Sequence, residues 1–290
     1  RTYTRSKPMR WEGERQSENV EDRRGMSGGV MAGGGGIVAL VIGLIVYFVT
    51  GRPPQNLGPA GPQDGAAQSG AVQQAPANDR MSKFVSTVLA STEDVWTDLF
   101  RKRGWTYKNP KLVLFTGQVQ SACGSASSAV GPFYCPGDFK LYIDLEFFRE
   151  LETRYRAPGD FAQAYVIAHE VGHHVQRLLG TTDRVDRDSG GGKTKANQLS
   201  VRLELQADFY AGVWAHHAQK QKKWLEPGDI EEALKAAFAV GDDTIQKRGR
   251  GTVVPDSFTH GSAAQRMAWF KKGFLTGDIS QGDTFTMPDP

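Results

Sequence analysis

The run AYVIAHEVGHHVQRLLG, residues 164–180, places His169, Glu170, His173 and His174 within six positions of an otherwise apolar stretch. His169-Glu170-Val171-Gly172-His173 has the spacing H-E-x-x-H. On a helix, residues four apart differ by about 40° around the axis, so both imidazoles point the same way, one turn apart. Two neutral imidazoles so placed can grip one Zn2+, and the glutamate beside the first can take a proton from the attacking water. With 6 His and 13 Glu in 290 residues, roughly 0.005 such matches are expected by chance. Gly172 inside a helix costs about 1 kcal/mol relative to Ala. Close approach of another backbone, or of a metal-bound ligand, would explain that cost. His174 lies about 100° round the helix from His173 and is expected to pack behind the site.

Two histidines do not complete a catalytic zinc site, which usually takes three protein ligands and a water. The downstream segment SVRLELQADFYAGVWA, residues 200–215, carries Glu204 and Asp208 four apart on an otherwise apolar helix. Two acids there are costly to bury without a cation or hydrogen-bond donors. Glu204 is therefore assigned as the third metal ligand. Asp208 is assigned as the acceptor that fixes the tautomer of a ligating imidazole. The competing reading is a solvated acidic face bridged to Arg202 or a nearby lysine. An oxyanion that develops during hydrolysis needs a further donor. His260, in SFTHGSAAQR, is the candidate, with Arg266 or Tyr165 behind it; alternatively it only neighbours the N-cap of the last helix. His216 and His217 are expected at the surface.

Four blocks, AHEVGHHVQ, RLELQADFYAGVWA, GPFYCPGDFKLYIDLEFF and FTHGSAAQR, resemble the bacterial neutral zinc metallopeptidase family over about residues 80–275. H-E-x-x-H followed on a later helix by E-x-x-x-D is similar to the gluzincin class. The resemblance implies a zincin-like fold and peptide-bond hydrolysis. It also implies Zn2+ held by His169, His173 and Glu204, with Glu170 as catalytic base. The function expected is that of a membrane-anchored zinc metalloendopeptidase acting on a protein or peptide substrate. Two other functions fit the same residues: a catalytically silent zincin-fold protein that binds a partner at the membrane, and a hydrolase of cell-wall amide bonds.

The elements that must position these groups follow from periodicity and punctuation. Helices are expected over 82–102, 160–179, 198–219, 230–247 and 262–272, with Asp160 capping the second and Gly180 stopping it. Residues 111–117 and 140–145 read as strands, and Lys140–Leu145 could be the edge that aligns an extended substrate, or an ordinary core strand. Residues 181–197 read as a loop. Few strands and several helices suggest an α+β fold.

The N-terminal part differs in composition. No charge occurs from Gly25 to Gly51, and Ile37–Val49 is an apolar run of 13 residues. Residues 1–27 are expected as a disordered cytoplasmic tail, 28–50 as a single transmembrane helix, 51–78 as a Pro/Gly/Ala/Gln-rich linker and 79–290 as the metallopeptidase domain. A cleaved signal peptide is disfavoured by the long polar stretch ahead of the run. Residues 1–24 hold seven Lys/Arg, whereas only Arg52 follows the span closely. The expected location is thus the cell inner membrane, N-terminus cytoplasmic and domain extracytoplasmic or periplasmic. In that compartment Cys123 and Cys135 are expected to form one disulfide rather than remain buried thiols. The net charge is only +3, and no basic stripe interleaves with aromatics, so no nucleic-acid partner is expected.

Overall fold

Alternation in the strands separates two cores. The computed structural model describes residues 9–25 and 79–287. In chain order it contains β1 (Val20–Asp22), α1 (Arg80–Lys102), β2 (Lys111–Phe115), β3 (Gln118–Ser121), β4 (Gly124–Ser127), β5 (Phe133–Cys135) and β6 (Lys140–Asp144). There follow α2 (Glu146–Thr153), α3 (Asp160–Leu178), α4 (Thr181–Asp188), α5 (Lys193–Lys222), α6 (Asp229–Ala239), α7 (Asp242–Arg250) and α8 (Ala263–Thr276). One sheet has the order β1-β2-β6-β5, and β3 and β4 form a separate hairpin. Leu112, Leu114, Leu141 and Ile143 face the helices and join the main core. Val113, Phe115 and Tyr142, one residue out of phase, face a small second core with Cys135. Successive strand residues point to opposite faces, so one short run serves both.

β2 pairs parallel with β6, and β5 pairs antiparallel with β6. The strand expected as a substrate edge, Lys140–Leu145, is therefore interior, and Leu141 to Asp144 are buried. The edges among the described residues are β1 and β5, and β5 is the one whose Tyr134 lines the cavity described below. Cys123 and Cys135 are bonded, which ties the turn of the β3–β4 hairpin to β5.

The expected disordered tail is corrected for residues 9–25. Met9 and Trp11 are buried in the main core. The N–H of Arg10 donates to the carbonyl of Trp224, and that of Ser17 to the carbonyl of Ser86. β1 then adds in parallel to β2, Val20 opposite Leu112. A few anchors separated by polar residues carry no periodicity, so pattern reading cannot find them. The membrane span expected over 28–50 and the linker over 51–78 lie outside the described residues. Among the described residues no helix is long and apolar enough to cross a membrane.

Two further differences concern helices. The expected loop 181–197 is largely helical, as α4 and the start of α5. The expected helix 230–247 is broken into α6 and α7 at Gly241, where a Cβ would stand 2.4 Å from the nitrogen of Ala263.

The N-terminus of α3 is capped differently from expectation. Gly159, at φ +122°, is the cap residue, and Asp160 begins the helix. The carboxylate of Glu232, on α6, accepts the N–H of Phe161 at 3.3 Å. Burial, reinforced by Asp229 and Asp160, raises the Glu232 carboxyl from 4.5 to about 7. A group with a raised folded pKa favours the folded state while protonated, so its contribution falls as pH rises from about 4.5 to 7. Glu232→Gln is expected to flatten that slope, read as urea midpoints between pH 4.5 and 8. A steeper decline in the variant would refute the assignment.

Candidate metal centre

Gly172 lets α3 and α5 approach closely: a Cβ there would lie 2.9 Å from the carbonyl oxygen of Ala207 and 3.0 Å from its Cα. This contact brings His169 and His173 of α3 against Glu204 of α5. Nε2 of His169 lies 3.1 Å from one Glu204 oxygen, and Nε2 of His173 lies 3.4 Å from the other. The ligand atoms of these three residues all lie within 4.8 Å of one another. In a tetrahedral zinc site with bonds of about 2.0–2.1 Å, neighbouring ligand atoms are about 3.3 Å apart. Two imidazole nitrogens and a carboxylate at these separations fit such an ion.

The far nitrogens are held as well. Nδ1 of His169 donates to Asp208 at 2.8 Å, and Nδ1 of His173 donates to the side-chain carbonyl of Gln176 at 2.9 Å. These acceptors assign the protons to Nδ1 and turn both Nε2 atoms toward Glu204. Asp208 is fully buried. It also accepts from the Tyr165 hydroxyl and from Arg266, Nε at 2.8 Å and Nη2 at 3.0 Å. Tyr165 and Arg266, expected behind His260, therefore support His169 instead. Gln176, whose amide donates to the carbonyl of Leu203 at 2.6 Å, was missed in the sequence. Its only signal there was its place three residues after His173.

The electrostatics favour a cation. Three buried or nearly buried carboxylates, of Glu170, Glu204 and Asp208, face one guanidinium, that of Arg266, so with both imidazoles neutral, the form that ligates a metal, two negative charges face a divalent ion. Burial opposes charge on His169, yet Asp208 and Glu204 raise its pKa to about 10. Burial pushes the Glu204 carboxyl up, but His173 and His169 outweigh it and hold it well below the ordinary range. Glu170 is not in the trio. Burial raises its carboxyl, with His173 and His169 opposing.

Glu170, His260 and the trio line one cavity of about 410 Å³. His260 is held by Asp242: Nδ1 lies 3.1 Å from one carboxylate oxygen, and the backbone N–H groups of Thr259, His260 and Gly261 donate to the other. Burial works against charge on His260, but Asp242 and Glu204 raise its pKa. Ser262 and Gln265 form a capping box on α8 just beyond. Both sequence readings of His260 thus describe the same loop. Asp242 carried no sequence signal, since its partner is eighteen positions away.

His216 and His217, expected at the surface, are half-buried and bond the carbonyls of Phe274 and Gly277 at 2.8 and 2.9 Å, tying α5 to the end of α8. His174 is fully buried. Its Nε2–H donates to the carbonyl of Lys108 at 2.6 Å, which leaves Nδ1 to accept from the Tyr134 hydroxyl at 3.1 Å. Burial lowers its pKa to about 4, so it stays neutral. Tyr134 belongs to β5 and lines the cavity. His174→Phe is expected to leave metal content unchanged while lowering the thermal midpoint, since a buried unmet partner costs about 1–3 kcal/mol. Metal loss in this variant would contradict the role.

The family model described as "Putative neutral zinc metallopeptidase" matches residues 9–285. The chain is 46% identical over 295 residues to the uncharacterized protein YpfJ of Escherichia coli (strain K12), covering 96% of this chain and 99% of that protein. It is 48% identical over 209 residues to the uncharacterized protein Rv2575 of Mycobacterium tuberculosis, covering 69% of each. No solved structure matches significantly.

Proposed function

The chain belongs to the neutral zinc metallopeptidase family, and on that premise we propose that it is a zinc endopeptidase. One observation carries the reading: two imidazoles with their Nδ1 atoms engaged turn Nε2 toward the Glu204 carboxylate, and Glu170 lines the same cavity. His169, His173 and Glu204 would hold the zinc. When bound, zinc supplies an activated water near neutral pH and polarises the scissile carbonyl. Glu170 accepts the proton of the attacking water and passes it to the departing amine nitrogen. Water thereby adds hydroxyl to the carbonyl carbon and hydrogen to the amine. Burial, which raises the Glu170 carboxyl, suits it to take and release that proton. His260, oriented by Asp242, donates a hydrogen bond to the oxyanion. The open edge of β5 offers backbone groups to an extended substrate, and the walls around Val166, Phe147 and Val240 receive apolar side chains. The disulfide supports an oxidising, extracytoplasmic compartment for the domain.

The test uses the purified chain on a mixed peptide library, with product ends sequenced. Hydrolysis should vanish on chelation and return with zinc. Glu204→Ala should bind substoichiometric zinc and be inactive. Chelator-insensitive cleavage, or full zinc in Glu204→Ala, would overturn the proposal.

A further inference from the structure

We propose that residues 9–25 form a strap of the metallopeptidase domain and lie on the same side of any membrane as that domain. β1 is hydrogen-bonded into the sheet beside β2, with Met9 and Trp11 in the core. A chain that crossed a membrane once between residues 25 and 79 would put β1 and β2 in different compartments. The two arrangements exclude each other. The strap therefore replaces the single crossing, tail and domain on opposite faces, that the charge pattern suggested.

The ends of the intervening stretch support this. Arg24 pairs with Asp22 at 2.6 Å and with Asp79 at 2.7 Å. Asp79 is also the N-cap of α1. Arg24 and Asp79, at the ends of the two described stretches, thus meet on the domain itself.

Four of the seven Lys/Arg of residues 1–24 also pair with carboxylates within this fold: Arg10 with Glu226, Arg15 with Glu93 and Asp94, Arg23 with Glu21, and Arg24 with Asp22 and Asp79. This inference is independent of the peptidase reading.

The test places one added cysteine at exposed Glu12 or at exposed Lys271 of the full chain, the native pair being bonded. Spheroplasts and lysed cells are treated with a membrane-impermeant maleimide. Glu12→Cys and Lys271→Cys should behave alike, both reacting in spheroplasts or both only after lysis. Opposite behaviour would overturn the proposal. As a second measurement, a site-specific protease sequence is inserted between residues 52 and 78 of the purified chain. After cutting, the N-terminal fragment should co-elute with the domain, and separation of the two would overturn the strap.

Discussion

Glu170→Gln should lower kcat for peptide hydrolysis by about a hundred- to ten-thousand-fold, the usual worth of a positioned general base, while zinc stays at one per chain. Glutamine keeps the size and polarity of the side chain but cannot accept the proton. The trio placed to hold the metal is His169, His173 and Glu204, so on the proposed reading the substitution removes no ligand. KM should change little, because the proton transfer belongs to the transition state. Steady-state kinetics with metal analysis of the same preparation checks both halves. Unchanged activity would favour the catalytically silent, partner-binding alternative. Lost zinc would instead make Glu170 a ligand.

Gly172→Ala is the second large effect, and its sign is opposite to what local propensity gives. In an exposed helix interior the change would stabilise by about 1 kcal/mol. Here the added Cβ meets the carbonyl oxygen of Ala207 at 2.9 Å. Backbone cannot rotate away, so α3 and α5 must separate. Overpacking of this kind costs about 1–3 kcal/mol. The separation acts where His169 and His173 meet Glu204 and where Gln176 bonds the carbonyl of Leu203. The thermal midpoint should fall, and zinc affinity, measured by competition with a chromophoric chelator, should drop at least tenfold. A raised midpoint with unchanged zinc affinity would show that the helices tolerate the methyl group.

The lesson of these positions concerns range. H-E-x-x-H is a local code: 3.6 residues per turn place His169 and His173 together whatever the rest of the chain does. The cost of Gly172 hinted at a close backbone, though not which one. Glu204 and Asp208 were legible because two acids on an apolar helix demand partners. Gln176 and Asp242 were not, because an amide or a carboxylate has many uses and its partner is chosen by packing. His216 and His217 looked like surface residues for the same reason, until α8 supplied the carbonyls they bond.

By itself the sequence determined the helix that carries the histidine pair, the acids of the second helix, the cysteine pair and the α+β composition. Each follows from short periods or from the cost of burying a charge. The tertiary structure alone decided which strands are edges, which side chain supports each imidazole, and where residues 9–25 belong. Those depend on contacts between segments far apart in the chain. The strap shows this most plainly, with Met9, Trp11 and Val20 scattered in a polar stretch. The burial of Met9 and Trp11 and the packing of Val20 become favourable only once α1 and β2 have built the surface that receives them.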